Sequence, residues 1–389
     1  MRILHVITRL ILGGAQQNTL MSCAAQAADG HEVHLAFGPV DLHDGPEGSL
    51  LEAAEQCGAT LHVIDPLVRE VDPLRDVRAY RALKRCVRGL RPDVVHTHSS
   101  KAGIVGRGAA WAARDAGLPK VVHTVHGLPW NDAQPAWKRR LFIASERWAA
   151  RRCDALIGIT AAMAEAFEAE GVAPRDRFVE IPSGVDLNVF SGADDAGADR
   201  LRQQLGLPPE VPLVGLVARL DALKGHADLL AAWPAVRVRV PGAHLVFIGD
   251  GHDAPVVREA AAGLGGAVTL VGRVALHDMP AAYRMLDLCV LPSHQEGQSR
   301  VLVEALACGT PVVAYDVGGM PSICVDGMTG RLVRPGDTAA LGGVVAWMLE
   351  NPARAAALAR NGRAHVEQRF SARAMRDGLA ELYARLMKQ

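Results

Sequence analysis

Short apolar runs alternate along the chain with longer stretches in which apolar residues recur at helical spacing. The runs at 2–8 (RILHVIT), 93–97 (DVVHT) and 244–248 (HLVFI) are typical of strands buried on both faces of a parallel sheet. Repeated strand–helix units of this kind predict an α/β fold, in which ligands bind at the carboxyl ends of the strands.

Two such series are predicted. The first has strands at 2–8, 32–37, 60–64, 93–97, 120–125, 154–159 and 177–181, and helices after the glycines at 13 and 14 and near 48–57, 72–90, 101–116 and 135–153. The second has strands at 212–218, 244–248, 267–271 and 287–292. Between the two series, residues 183–200 lack an apolar period and are rich in Gly, Asp, Ser and Ala, so we predict a linker there. A chain of 389 residues with this pattern predicts two similar domains around one cleft.

Composition excludes several classes of function. The 42 Lys and Arg residues equal the 42 Asp and Glu residues, so no net positive field favours nucleic acid. No apolar run reaches membrane-spanning length, and the opening MRILHVITRL predicts a strand rather than a signal peptide. The seven cysteines have no paired spacing, which indicates buried free thiols in a reducing cytoplasm rather than disulfides or a zinc site.

The stretch 287–309 (DLCVLPSHQEGQSRVLVEALACG) carries the strongest chemical signal. A buried strand is followed by a polar turn and then by a helix that Ser299 is placed to cap. The amides at such a helix start bind anions, and Gly297 lets a ligand approach the backbone closely. Glu296 precedes the helix and Glu304 lies one turn inside it, an arrangement suited to a phosphate with nearby sugar hydroxyls. The alternative is a capped helix whose glutamates are solvated.

Two further strands of the second series end in charged residues. Arg219 and Lys224, five residues apart between a strand and a helix, could neutralise a diphosphate leaving group, or be solvated loop charges. Strand 267–271 runs into Arg273 and Val274, beside which a base could lie.

Histidines follow two strands of the first series. His96 and His98 at one strand end, with Lys101 beyond them, could bind a substrate or cap the next helix. A metal is not expected, because no third ligand lies nearby. In the next strand, a structural role is favoured for His123, whereas His126 stands at the strand exit beside a glycine, where an imidazole could contact a sugar hydroxyl.

Residues 136–152 predict an amphipathic helix in which tryptophans and other apolar residues are set among Lys and Arg. A basic-aromatic face on a neutral protein suggests docking on an anionic membrane surface. The alternative is a solvated helix that flanks the sheet.

Several separated features form an ordered pattern: Gly13-Gly14, His126, Arg219 with Lys224, and Glu296 with Glu304. Over essentially the whole chain this pattern resembles the family-4 retaining glycosyltransferases of the GT-B fold. Its most specific part is the E-x₇-E spacing joined to PVVAYDVGGMPSICVDGMTGRLV. The HTHSSKAG run resembles members that build bacterial capsule, exopolysaccharide or lipid glycans.

The resemblance implies two Rossmann-like domains. Residues 1–183 would form the acceptor-side domain together with 372–389, a returning C-terminal helix. Residues 184–371 would bind the donor, a nucleoside diphosphate sugar with uridine as the expected base.

The resemblance also assigns roles in the donor site. Arg219 and Lys224 would hold the diphosphate, assisted by the backbone at Gly297, Gln298 and Ser299.

The other donor-site roles concern the base and the sugars. Backbone around Arg273 and Val274 would contact the base, Glu304 would hold the ribose, and Glu296 would lie by the transferred sugar. The family often has an aromatic residue or leucine, then glycine or proline, after Glu296-Gly297. Here Gln298-Ser299-Arg300 follows instead, and Arg300 could bind a charged or acetamido sugar.

In the N-terminal half, His126 would contact the donor sugar, and Gly14 with Gln16 would face donor and acceptor. Gln16 stands where an acidic residue is frequent, which affects acceptor choice. Ser99 and Lys101 are further acceptor-side candidates.

The expected reaction is metal-independent transfer without a cofactor, since Arg219 and Lys224 can meet the charge of the leaving diphosphate. No Asp-x-Asp motif is placed like a metal site. Because Glu304 is committed to the ribose, front-face attack with retention is favoured over double displacement. The acceptor would be a glycan or a polyprenyl- or lipid-linked sugar, in the cytoplasm or on the inner face of the membrane. A nucleotide-sugar epimerase and an inactive nucleotide-sugar binder are the alternatives.

Overall fold

The structure is a computed structural model that describes residues 1–39, 49–131 and 134–388. Up to Gly184 its elements are β1 Arg2–Ile7, α1 Gly14–Ala28, β2 Glu32–Phe37, α2 Leu51–Gln56, β3 Thr60–Val63, α3 Pro73–Leu90, β4 Val94–His98, α4 Ser100–Ala113, β5 Lys120–Val125, α5 Ala136–Ala150, β6 Ala155–Gly158, α6 Ala161–Ala169 and β7 Phe178–Glu180. The first residue of the helix predicted near 48–57 lies outside the described residues.

The second series follows in the same alternation. Its elements are α7 Leu187–Ser191, α8 Asp195–Gln204, β8 Leu213–Val217, α9 His226–Arg239, β9 His244–Ile248, α10 Ala254–Ala262, β10 Val268–Gly272, α11 Met279–Arg284, β11 Leu288–Leu291, α12 Arg300–Ala307, β12 Val312–Tyr315, β13 Arg331–Val333, α13 Thr338–Glu350, α14 Pro352–Arg369 and α15 Ala372–Met387. No helix in the described ranges combines the length and the apolar character needed to cross a membrane.

The chain divides into two compact units. Unit 1 comprises Met1–Gly184 and Ala372–Gln389, and unit 2 comprises Val185–Ser371. Within the described residues, unit 1 holds a parallel sheet in the order β3-β2-β1-β4-β5-β6-β7, and unit 2 holds one in the order β10-β9-β8-β11-β12-β13. The prediction of an α/β fold with two parallel sheets is confirmed.

The strands form because their apolar runs are buried on both faces of each sheet, as in β8 and β11, whose residues are all buried. In unit 1, the last helix, α15, packs Leu379 and Tyr383 against a cluster that includes Ile3, Val94 and Val122 of three neighbouring strands. The C-terminal segment therefore completes the core of the unit in which the chain begins.

The linker predicted at 183–200 contains the boundary between the two units, which follows Gly184, and it also contains α7 and the first part of α8. Asp186 accepts a hydrogen bond from the amide of Asn188, and Asp194 accepts one from the amide of Gly197, so each aspartate caps a helix start. Few apolar residues are present, but Leu187, Phe190 and Leu201 are buried in the core of unit 2. The two caps and these few buried residues thus stabilise α7 and α8 although the segment has no apolar period.

Candidate functional site

The order of the strands in unit 2 reverses between β8 and β11, so the loops that follow these strands diverge to opposite sides. Such a switch point is where open parallel sheets bind ligands. Gly225 follows β8 with φ +73°, and a Cβ at this position would lie 1.9 Å from the carbonyl oxygen of Pro292. The absence of a side chain at Gly225 therefore lets the two loops touch at the switch point.

The same loops are joined by side chains and backbone. The ammonium of Lys224 donates to the carboxylate of Glu296 at 2.5 Å, and the amide of His294 donates to the carbonyl of Leu223 at 2.8 Å. Lys224 and Glu296 are mostly buried, with 23% and 14% of their side-chain surfaces exposed. Two residues 72 positions apart in the chain are thus brought together.

Arg219 lies at the exit of β8 and remains largely exposed, with 69% of its side chain accessible. It donates to Asp221 at 2.7 Å, and Asp221 also accepts a hydrogen bond from the amide of Leu223. The hydrogen bond from the Leu223 amide, together with that from Arg219, lowers the pKa of Asp221. The Arg219 guanidinium is therefore held by Asp221 at the exit of β8 and remains exposed to solvent.

The start of α12 supplies backbone donors. Ser299 is buried and accepts a hydrogen bond from the amide of Leu302 at 3.3 Å, which makes it the N-cap that the sequence predicts. Gly297 and Gln298, just before it, are half-buried. A third loop borders this turn, because a Cβ on Gly318 would lie 1.9 Å from the carbonyl oxygen of Glu296.

Glu304 lies one turn inside α12 and makes two hydrogen bonds. It accepts from the hydroxyl of Tyr283 at 2.8 Å and from Arg300 at 3.3 Å. Burial raises the pKa of Glu304, against the opposing effects of Arg300 and Tyr283. Arg300, which the sequence offers as a ligand for a charged sugar, is thus engaged by Glu304. Tyr283 was missed, because no motif surrounds it.

The residues offered for base binding lie at the end of β10. Gly272 has φ +79°, which turns the chain out of the strand. Arg273 is exposed and lies 3.9 Å from Asp250, and Val274 packs at the margin of the unit 2 core. Gly272 and Val274 are half-buried on either side of the exposed Arg273.

In unit 1 the strand order reverses between β1 and β4. Gly14 begins α1 after β1, and Gln16 folds back so that its Oε1 lies close to Gly13. Ser99 follows β4 with φ 60° and ψ 157°, a conformation that favours glycine, and its hydroxyl contacts that of Thr8 at 2.8 Å. Backbone strain of this kind is concentrated at functional sites.

Lys101 does not extend freely from this loop. Its ammonium donates to both carboxylate oxygens of Asp76 on α3, at 2.6 and 2.7 Å, and only 14% of the side chain is exposed. The structure therefore engages this acceptor-side candidate in a pair between α3 and α4.

His126 follows β5 and is half-buried, with its Nε2 3.1 Å from Nδ1 of His98. Burial lowers the pKa of His126 to about 4. The expectation that no third ligand lies near His96 and His98 is wrong, because His5 of β1 has a ring nitrogen within 4.8 Å of theirs. The ring nitrogens of all three histidines, however, hydrogen-bond to protein groups, as in His96 with Tyr383 and Thr124. These three residues are thus satisfied without an ion.

His123 points to the opposite face of the same sheet. It is buried, its Nδ1 lies 2.9 Å from the hydroxyl of Thr97, and its ring occupies the space where a side chain on Gly103 of α4 would stand. The structural role predicted for His123 agrees with these contacts.

The basic-aromatic helix is α5, and three of its apolar residues are exposed: Trp137, Leu141 and Trp148. Its cations are partly engaged within unit 1. Arg139 pairs with Glu170, and Arg147 donates to two backbone carbonyls.

Family models match both halves of the chain. Residues 13–184 match the glycosyl transferase 4-like domain, and residues 198–365 match the glycosyl transferases group 1. A D-inositol 3-phosphate glycosyltransferase of Segniliparus rotundus is 32% identical over 349 residues, covering 84% of this chain and 75% of the relative. A GDP-mannose-dependent monoacylated alpha-(1-6)-phosphatidylinositol monomannoside mannosyltransferase of Corynebacterium glutamicum is 30% identical, covering 70% of this chain and 72% of the relative.

Solved structures share the fold along the whole chain. Anabaena Alr3699/HepE in complex with UDP has a TM-score of 0.83 at 24% identity, covering 99% of this chain and 100% of that one. Sucrose-phosphate synthase from Thermosynechococcus elongatus has a TM-score of 0.80 at 26% identity, covering 100% and 99%.

Proposed function

Because the chain belongs to the group 1 glycosyltransferases, with the GT-B fold, we propose that it transfers a sugar from a UDP-sugar to a glycan or lipid-linked acceptor in cell-surface polysaccharide synthesis. The observation that carries the proposal is the contact between Lys224 and Glu296 at the switch point of unit 2. This contact brings a cation to a carboxylate that stands four residues before the start of α12.

These groups suit a nucleoside diphosphate. Departure of the diphosphate develops negative charge, which Lys224, Arg219 and the amides at the start of α12 would stabilise. We therefore propose that transfer needs neither a metal ion nor a cofactor. Glu304, held by Tyr283, would accept the ribose hydroxyls.

The carboxylates favour attack from the front face. Glu304 is occupied by Tyr283 and Arg300, and Glu296 is paired with Lys224, so neither is poised as a free nucleophile for double displacement. We therefore propose retention through an oxocarbenium-like ion pair, with Glu296 beside the transferred sugar. A product whose anomeric configuration is inverted by NMR would contradict this step.

Unit 1 supplies the remaining proposed contacts. We propose that His126 hydrogen-bonds a hydroxyl of the transferred sugar and that the loops at Gly14, Gln16 and Ser99 meet the acceptor. The two relatives named above carry inositol in the names of their substrates, so a cyclitol phosphate or phosphoinositide acceptor is the first alternative to a growing glycan. Parallel transfer assays with both acceptor classes separate them.

We also propose that α5 docks on an anionic membrane surface, a proposal supported by the exposed Trp137 and Leu141. It would place the protein on the inner face of the cell membrane. Flotation with anionic and neutral vesicles tests it, because equal recovery with both, or equal recovery of Trp137→Ala and the wild type, would exclude it.

The first experiment is a thermal shift measurement with UDP-, GDP- and ADP-sugars. Donor at about 100 times its Kd should stabilise the folded protein by about 2.7 kcal/mol. The shift should disappear in Glu304→Ala and persist in Glu259→Ala, a matched exposed glutamate on α10. A shift with GDP-sugars alone would replace the uridine assignment, and no shift with any donor would overturn the proposal.

Assays of UDP release with and without acceptor distinguish a transferase from an epimerase and from an inactive nucleotide-sugar binder. Release of UDP only when acceptor is present supports a transferase. An epimerase would change the donor sugar without acceptor, and an inactive binder would show the thermal shift without turnover.

A further inference from the structure

A chain of hydrogen-bonded histidines runs through the sheet of unit 1 and ends at His126. His5 contacts His98 at 2.9 Å between Nδ1 and Nε2, and His98 contacts His126 at 3.1 Å, again between Nδ1 and Nε2. At the other end, Nε2 of His5 lies 2.8 Å from the amide oxygen of Gln26 on α1. His5 and His98 are both fully buried.

The register of the strands explains why these side chains meet. His5 pairs with His96 across β1 and β4, and His98 pairs with Thr124 across β4 and β5. Residues two apart share one face of a strand, so His98 lies on the same face as His96, and His126 on the same face as Thr124. Each histidine of the chain therefore contacts a histidine on the next strand that lies two residues nearer the carboxyl edge of the sheet. The diagonal therefore leads from a buried residue in mid-sheet to the edge where ligands bind.

At pH 7 we expect each ring in this chain to be neutral. Burial lowers the pKa of His5 and His126 to about 4 and that of His98 well below its usual value. A neutral imidazole has one nitrogen that donates and one that accepts. The protonation of one ring therefore dictates that of the next.

The contact with Gln26 determines which nitrogen donates in each hydrogen bond of the chain. Its amide oxygen can only accept, so Nε2 of His5 must carry the proton and Nδ1 of His5 must accept from His98. Nε2 of Gln26 is buried and has no hydrogen-bond partner among the described residues.

We propose that His5 and His98 are positioning residues that hold His126 as the neutral tautomer protonated on Nε2, which leaves Nδ1 to accept a hydrogen bond from a substrate hydroxyl. The proposal rests on the proposed function only in taking that hydroxyl to belong to the transferred sugar. Nδ1 of His126 makes no hydrogen bond to the described part of the chain. His126 would thus select a hydroxyl that donates, not a carbonyl or phosphate oxygen.

The test measures the tautomer of His126 by NMR of protein labelled with ¹⁵N-histidine, at pH 7 and without donor. Variants in which one histidine at a time is replaced by glutamine assign the signals. We expect an unprotonated Nδ1 and a protonated Nε2 in His126, His98 and His5. A proton on Nδ1 of His126, a mixture of tautomers, or a cationic ring in the wild type would each overturn the proposal. Because no substrate is present, this result is independent of whether the protein transfers sugar.

Variants at the far end of the chain test the relay itself. Gln26→Leu removes the acceptor and should turn the single His126 tautomer into a mixture, whereas Gln26→Glu keeps an acceptor and should preserve it. His34→Gln is the matched control, because His34 contacts His62 at 3.1 Å in the same sheet, and this variant should leave His126 unchanged. A folded Gln26→Leu protein with the wild-type tautomer would refute the relay. Once turnover is measured, Gln26→Leu should lower kcat with little change in KM, and Gln26→Glu should restore it.

Discussion

The contact between the two loops of unit 2 can be tested by adding a single methyl group. In Gly225→Ala the new Cβ would lie 1.9 Å from the carbonyl oxygen of Pro292, and φ would remain +73°. A left-handed conformation costs a non-glycine residue about 1–2 kcal/mol. Relief of the overlap requires the loops to separate by more than 1 Å, which adds about 1–3 kcal/mol if the cost is that of overpacking.

A matched variant separates these two contributions. Gly266 has φ +76° in the turn before β10, with nothing within 4 Å of an added methyl group, so Gly266→Ala carries the conformational cost alone. For a unit of this size, 1 kcal/mol lowers Tm by about 2–4 °C. We therefore expect Gly225→Ala to melt at least 2 °C below Gly266→Ala.

The decisive assay is donor binding by the two variants. Separation of the loops would pull Lys224 from Glu296 and weaken the site for the diphosphate, so the donor-dependent rise in Tm should be lost in Gly225→Ala and kept in Gly266→Ala. Equal melting temperatures and equal donor responses would refute the argument that this contact builds the site.

Four further outcomes are expected. Tyr283→Phe removes one hydrogen bond from Glu304, so donor Kd from calorimetric titration should rise about 2–10-fold; an unchanged Kd would show that the hydroxyl is dispensable. Lys224→Met should lower kcat by about 10²–10³-fold while circular dichroism shows a folded protein, and a loss confined to KM would assign Lys224 to ground-state binding instead. Because the pKa of His5 is lowered to about 4 in the folded protein, its contribution to stability is present above about pH 6.5 and lost as pH falls toward 4. His5→Asn should accordingly flatten the decline of Tm over that range, and an unchanged slope would contradict the assignment. Dialysis against EDTA should leave turnover unchanged, whereas loss that Mg²⁺ or Mn²⁺ restores would disprove metal independence.

The sequence predicted the strands well because their apolar runs are buried on both faces, a condition that leaves a strong local signal. It also placed Ser299 correctly as a helix cap, since a cap is a local feature. It failed for α7 and α8, whose stability comes from two aspartate caps and a few residues buried in a distant core. No window of the sequence contains that core.

The site shows the same division between local and long-range information. Spacing within one loop and helix made Glu296 and Glu304 stand out, but the Tyr283 hydroxyl that holds Glu304 comes from another helix. The expectation that His96 and His98 have no third neighbour failed for a related reason. His5 lies 91 residues before His96, and only the pairing of β1 with β4 brings them together.

The order of the strands explains why the candidate site residues of both units lie in the loops where the strand order reverses. In each sheet the chain begins in a central strand, builds outward to one side, and then returns to build on the other. The two loops flanking the reversal diverge, so polar groups there can face a ligand and not a neighbouring connection. In unit 2 these groups are Lys224 and Glu296, and in unit 1 they include the strained Ser99 beside Thr8. His126 follows β5, one strand beyond this reversal. Hydrogen bonds through His98 connect it to His5 in the central strand β1, so a loop outside the switch point is linked to the strand from which the sheet is built.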